Sequence, residues 1–518
     1  MVLPFIFRRS GEALAPAGES LVVVSSHNES VRYEFERGFR QWYRARHGRE
    51  VSIDWRSLGG TSEIMRYIRS TYTANFRHLW EKQSADNPWN DEIAGAFLSP
   101  WTSTEGDAPE ARARREFLKS DVGIGIDVVF GGGQYDFDQL ANAGMLVPCG
   151  LKERHPEWLE GADAPLVQAG GGEIWYDKQD RYYGACFACF GIIYNRDRLI
   201  QAGFSEEEAD SFGRSWEDMA DKRLYRSIGA ADPTQSGSIT KCFEMIIQRA
   251  MQDKLRNIPS PTPEELNGAW EDALTLMRKL GGNAAYLTFG ASKVPMDAAS
   301  GQIAAGMCID YYGRSQAEWE EEHVGRRTII YRTPQGGSSV SADPIGILRG
   351  AENRKLAEEF IDYVMSPEGQ RLWGCRKGLP GGPEKYNLFR LPVRRDLYTQ
   401  DLMKDYCFPK DENPFVMAEQ FIYQGAWTAR LFSLMRVLVK VMIIDCGPEL
   451  RASWKSIIDK GGLEALSPEA RKAFCALPFS HQESRDASAA LKTPEGQAST
   501  IRDWIIFFQE NYRKAAAE

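Results

Sequence analysis

An apolar strand, a turn of small residues and an amphipathic helix follow one another again and again in this chain, which commits it to a mostly parallel α/β sheet. Residues 21–26 are apolar and end in small polar side chains, and a helix follows over about 30–47. It carries Val31, Phe35, Phe39 and Trp42 at helical spacing and stops at Gly48. Val51, Ile53 and Trp55 then alternate as a strand. Leu58, Gly59 and Gly60 turn into a second helix near Thr61, whose hydroxyl is expected as its N-cap. At 126–130 a buried-type strand meets Gly131, Gly132 and Gly133, and the helix after them ends at Gly144.

With 518 residues the chain exceeds one compact core, so two or more lobes are expected. Further units are legible downstream. Residues 190–194 read as a strand, and Ser215 to Asp218 form a capping box. A short strand at 228–231 turns through Asp232 and Pro233 into a helix over about 239–251. Late strands are expected at 301–312, 328–331 and 344–348. Residues 75–120 interrupt this grammar as an insertion, and from about Arg395 helices follow without strands.

The net charge of −9 argues against a surface made for nucleic-acid phosphates, although it leaves room for a local basic cleft. The apolar stretch 427–444 contains Arg430, Arg436 and Lys440, so it reads as a soluble helix and no membrane span is expected. Nine cysteines leave at least one unpaired within the chain. Cys186 and Cys189, three apart on an expected strand, face opposite ways, which favours packing over a shared metal or a disulfide. Residues 2–7 read as the tail of a removed signal or anchor behind a new Met, with an ordinary cytoplasmic start as the alternative.

The segment SVSADPIGILRGAENRKLAEEFIDYVMSPEGQRLW, from Ser339 to Trp373, resembles the closing segment of extracellular solute-binding proteins, the receptors that feed ABC importers. Other segments resemble that family in its own order. They are LVVVSSHNES, IDVVFGGGQYDFDQLANAGML, YYGACFACFGIIYNRDRL, SWEDMADKRLYRSIGAADPTQSGS and GQIAAGMCIDYYGRSQAE. The group they resemble is the iron(III)-type branch of the type II periplasmic binding proteins.

That resemblance implies an α/β fold of two lobes with mostly parallel sheets, plus a helical C-terminal extension. The expected lobes are 19–185 with 336–394 (insertion 75–120), and 186–335; the extension is 395–518. It also implies capture of a small anionic solute or a ferric ion between closing lobes and delivery to a membrane permease. The location would be periplasmic or extracytoplasmic, with a native signal missing from this sequence, and no cofactor or nucleic acid is implied. The insertion and the extension depart from the family pattern.

In such sheets the ligand crevice lies beyond the carboxyl ends of the strands, where helix N-termini present N–H groups. The expected ligand-binding residues are therefore Ser26, His27 and Asn28; Gly60, Thr61 and Ser62; Gly132, Gly133 and Gln134; and Ser236, Gly237 and Ser238. Glycine lets backbone approach a ligand, and hydroxyls donate to an anion without formal charge. Asp310, Tyr311 and Tyr312 complete the set by resemblance, with Tyr311, Tyr312 and His27 as metal ligands only for ferric iron. Both tyrosine rings reach one ion only if a turn begins between them. The alternative is one ring in the core and one on the cleft. His27 is open between a ligand and a capping side chain.

No catalytic residue is expected: there is no H-E-x-x-H, no G-x-S-x-G and no phosphate-loop motif. Two rival readings remain. One is an enzyme on the same scaffold using Asp310, His27 or Glu63 as acid or base. The other is a sensor or scaffold that contacts a partner through its tail.

Overall fold

The computed structural model describes residues 19–83, 86–409 and 412–517, so the reading of residues 2–7 falls outside the described residues. Among the described residues thirteen strands form two main sheets and a small hairpin. In chain order they are β1 (Glu19–Ser25), β2 (Val51–Arg56), β3 (Val128–Phe130), β4 (Leu146–Val147), β5 (Ala169–Gly170), β6 (Glu173–Ile174) and β7 (Tyr183–Ala188). Then come β8 (Phe190–Asn195), β9 (Ile228–Ala231), β10 (Ala284–Thr288), β11 (Ala305–Ile309), β12 (Ile329–Arg332) and β13 (Ser341–Leu348).

The first sheet has the order β2-β1-β3-β13-β4, with β7 also paired to β13; the second has the order β10-β9-β11-β8-β12. In the first, β13 runs against β3, β4 and β7; in the second, β8 runs against β11 and β12. These reversed strands are the two that arrive from the other lobe. A chain that leaves one lobe at the carboxyl ends of its strands enters the next at the same end, so it must run backwards there. The mostly parallel sheet is thus kept in strand direction, with one reversal per lobe forced by the crossing.

Side-chain bonds in the closing segment explain its wording. Ser366 caps the helix Pro367–Gly374 through Gly369 N, at 3.1 Å. Gln370 is fully buried; its amide nitrogen donates to Ala185 O and Val364 O, and its oxygen accepts from Val393 N. Asn353 donates to Asp127, which also accepts from Val22 N. The motif is therefore internal fastening of the first lobe, since each of these buried polar groups needs a partner.

Several expectations shift. The strand expected at 301–312 ends at Ile309, and a helix (Asp310–Val324) begins at once. The helix near Thr61 starts at Thr61 itself, with Gly60 O accepting from Glu63 N and Ile64 N. It continues to Gln83, so the expected insertion opens inside a helix. Ser215 to Asp218 do form a capping box, on a short 3-10 turn. Among the described residues no helix is long and apolar enough to cross a membrane, and 427–444 is broken into short helical pieces with a π-helical turn at Lys440–Asp445.

From residue 395 onward the regular elements of the described residues are helices, and they divide their packing. Met403, Tyr406 and Phe408 join the core of the first lobe. The later helices, Phe432–Val439, Gly447–Asp459 and Pro494–Ala517, share one apolar core with the second lobe's helices Gly237–Leu255 and Pro263–Asn283. Trp454 packs where a side chain on Gly282 would clash, and its indole N–H donates to Asn283 Oδ1 at 2.8 Å. Arg278, fully buried, donates to the carbonyls of Cys475 and Ala476. Trp454→Ala is therefore expected to destabilise the second lobe by about 3–5 kcal/mol in chemical denaturation; a loss confined to melting of the C-terminal helices would contradict the shared core.

Candidate functional site

A cavity of about 520 Å³ opens between the two sheets, at the carboxyl ends of their parallel strands. Its walls come from both lobes and from the C-terminal helices. Ser26, His27 and Asn28 follow β1, Gly60 and Thr61 follow β2, and Gly132, Gly133 and Gln134 follow β3. Ser236, Gly237 and Ser238 follow β9, and Tyr311 and Tyr312 follow β11. Thirteen of the fifteen expected residues line this one space. Ser62 does not; its hydroxyl accepts from Arg436 at 3.3 Å. Nor does Asp310, which is fully buried behind the wall.

Asp310 matters for what it holds. Its Oδ1 accepts from Arg390 Nη1 at 3.1 Å and from Tyr311 N at 2.7 Å, and its Oδ2 from Cys189 N at 3.0 Å. Arg390 Nη2 donates to Asp343 Oδ2 at 3.2 Å. Asp343 Oδ1 accepts from Gly132 N at 2.6 Å, and His27 Nε2 stands 3.4 Å from Oδ2. One buried guanidinium in the cavity wall thus bridges a carboxylate of each lobe, Asp343 in the wall and Asp310 behind it. Burial alone would raise Asp343; His27, Arg390 and the Gly132 amide outweigh it and hold the carboxyl below its ordinary range.

Local backbone puts Asp343 there. Pro344 offers no N–H to the ladder, and the pairing of β13 with β7 slips between Asp343 and Pro344. Gly131, at φ 89°, lets the His27 ring press against the backbone where any side chain would collide with it. That ring also packs edge-on against Phe130 at 4.6 Å. Cys186 Sγ lies 4.0 Å from Asp343 Oδ2, so His27, Cys186 and Asp343 lie close enough for a metal. Arg390 already occupies that carboxylate, and burial pushes the Cys186 thiol well up, so a protonated thiol and a guanidinium oppose a cation here.

Tyr311 and Tyr312 open the helix Asp310–Val324, which turns both toward the cavity with ring centroids 5.5 Å apart. The helix begins before both rings, at Asp310, and not between them. The Tyr311 hydroxyl reaches across the cleft to Asn28 and to Ser30 Oγ, the latter at 2.9 Å. Ser236 Oγ accepts from Ile239 N and faces Ser238 Oγ at 3.1 Å, capping the helix Gly237–Leu255 at the cavity.

A second buried ionic group escaped the sequence reading. Lys241 Nζ lies 3.0 Å from Glu173 Oε1, across the lobes, and 2.9 Å from Glu244 Oε2. Burial would lower its ammonium, but Glu173 and Glu244 more than offset this and keep it well above its ordinary value. Glu244 also accepts from Tyr423 and Thr428 of the C-terminal region, each at 2.6 Å. Among the members of these groups only Asp310, beside its two tyrosines, carried a local signal in sequence, and it read as a ligand. Arg390 had none, because its partners lie 80 and 47 residues away.

Asp136, half-buried in the first turn after Gly133, has its carboxyl pushed up to about 6 by burial, with Arg436 and a backbone hydrogen bond at Gly133 pulling the other way. In the unfolded chain an aspartate titrates near 4. Between those values the folded state binds the proton more tightly, so this contribution is fully present below about pH 4 and is lost as pH rises through about 6. Asp136→Asn should flatten that segment of the stability profile, measured by urea denaturation between pH 4 and 7. A profile identical to that of the parent protein would mean that the carboxyl titrates as if in water.

Comparison with known proteins follows the same outline. A family profile described as bacterial extracellular solute-binding protein matches residues 120–384, just over half of the chain. A curated protein of Haemophilus influenzae is 24% identical over 251 residues, 48% of this chain, and the chain spans 60% of that relative's length. Among solved structures, the periplasmic binding protein AfuA from Actinobacillus pleuropneumoniae, with fructose-6-phosphate bound, is 15% identical with a TM-score of 0.46. That alignment covers 81% of this chain and 98% of the other. Iron-bound HitA from Pseudomonas aeruginosa is 13% identical, TM-score 0.46, covering 81% and 99%. A putative extracellular solute-binding protein from Bordetella parapertussis is 12% identical, TM-score 0.48, covering 82% and 99%. On the strength of the family profile, the chain belongs to the bacterial extracellular solute-binding proteins.

Proposed function

We propose that this protein is the receptor of an ABC-type importer, working outside the cytoplasmic membrane, which captures a small anionic solute between its lobes and hands it to a membrane permease. The observation that carries this reading is the convergence of helix N-termini from both lobes on one cavity. The helices Glu29–His47, Thr61–Gln83 and Gln134–Ala143 come from the first lobe, and Gly237–Leu255 from the second. Their N-terminal amides and partial positive charge favour an anion. Both cations in the wall, Lys241 and Arg390, are already matched by carboxylates. Recognition therefore falls to neutral donors, with Ser236, Ser238 and Thr61 beside those helix ends.

A second reading, ferric ion as cargo, draws on one observation: Tyr311 and Tyr312 both face the cavity from a helix start. It would use their oxygens, with His27 as a third donor. Against it, the Arg390 guanidinium lies 5.8 Å from the Tyr311 ring, and the His27 ring nitrogen is already directed at Asp343. The enzyme reading is left with Glu63 as its acid or base at the cavity, because Asp310 is sealed behind the wall and His27 is tied to Asp343.

A thermal-shift screen over sugar phosphates, phosphonates, carboxylates and ferric citrate separates these readings. An organic anion that raises the melting temperature and is recovered unchanged is expected, and the paired change Ser236→Ala with Ser238→Ala should weaken its binding by roughly 1–3 kcal/mol. An orange-red ferric complex that loses its colour in Tyr311→Phe with Tyr312→Phe would replace the anion by iron. Turnover of the bound compound would make the protein an enzyme.

A further inference from the structure

The helix Phe432–Val439 lies outside the segment 120–384 that carries the family match, yet it stands at the cleft. Leu434, Met435, Leu438 and Val439 fasten it into the core of the second lobe. Its other face meets the first lobe. Phe432, a cavity-lining residue, packs its ring on Tyr135 with centroids 5.2 Å apart. One turn later, Arg436 Nε donates to Pro233 O at 2.9 Å, and Nη2 donates to Thr234 O at 2.7 Å and to Ser62 Oγ at 3.3 Å. Pro233 and Thr234 lead into the Ser236 loop of the second lobe; Ser62 sits in the first turn after Gly60 in the first.

One guanidinium from the C-terminal region therefore ties together two solute loops that belong to different lobes. It is also attracted by Asp136 and Glu63 on the first lobe and by Asp232 on the second. A planar group with five donors in a fixed fork suits this task, since it reaches two carbonyls and a hydroxyl from one position.

Resting on the reading of the gap as a cleft that closes on a solute, we propose that Arg436 is a positioning residue. It holds the Ser236 loop and the start of the Thr61–Gln83 helix in register, and with Phe432 it makes the C-terminal region the third wall of the site. Closure and solute selection are then set partly by a segment outside the family-wide part of the chain. When the lobes part, the helix stays with the second lobe, and its contacts to Tyr135 and Ser62 are the ones that break.

The test uses the full chain without any solute, so it is independent of which solute binds. Small-angle scattering should show a larger radius of gyration for Arg436→Ala than for the parent protein, and an intermediate value for Arg436→Lys, which keeps the charge but not the fork. Because Arg436→Ala also removes bonds to Pro233 and Thr234 of the second lobe, Ser62→Ala combined with Tyr135→Ala removes the interlobe contacts alone, from the first lobe's side. This double variant should expand at an unchanged melting temperature, which simple loss of packing would not produce. Scattering of the folded double variant that superimposes on that of the parent protein would overturn the proposal, whereas absence of any binding anion would sink only the function proposed above.

Discussion

A buried ionic bridge, Asp310 to Arg390 to Asp343, joins the two halves of this protein, and the geometry of the cleft depends on it. Each carboxylate belongs to a different sheet: Asp310 follows β11 of the second lobe, and Asp343 lies in β13 of the first. Three charges out of water are costly, and removing the central one would leave two buried carboxylates without the cation they share. Backbone amides complete their hydrogen bonding, from Cys189 and Tyr311 on one side and Gly132 on the other. That arrangement fixes the floor of the cavity at the point where the chain crosses between lobes.

Much of the fold was legible because strand, turn and helix signals are local. The glycine turns at 59–60 and 131–133 stand where the reading put them, and the loops they introduce reach one cavity. The site was legible in its neutral parts for the same reason. Its ionic parts were not: Lys241 looks like a surface residue on an amphipathic helix until Glu173, from a distant hairpin, meets it. Asp310 illustrates a converse error. Its place beside two tyrosines suggested a ligand, but a carboxylate at a helix start, facing inward, was taken by the nearest buried cation instead.

The helical extension was legible as helical and opaque in its role. Helices without strands give no sign of where they dock, because docking depends on apolar faces that match only in three dimensions. Here the match is with the second lobe's own helices, through Gly281 and Gly282, where the absence of a side chain admits Ile443 and Trp454. The two glycines carry no sign in sequence of what they admit. In the fold they let the extension approach closely enough to become part of the lobe.

The ionic pairs also decide how a guest can be recognised. A free lysine or arginine in the wall would attract any anion from a distance, with weak discrimination among shapes. In this cleft the lysine lies between Glu173 and Glu244, and the arginine between Asp310 and Asp343, so each cation is outnumbered by carboxylates and neither draws an anion from a distance. Beside the carboxyls of Glu63, Asp136 and Asp138, the donors left for a guest are amides at helix starts and hydroxyls of fixed direction, which act over hydrogen-bond distances. Such donors are useful only when loops from both lobes are in place at once, so recognition and closure become the same event.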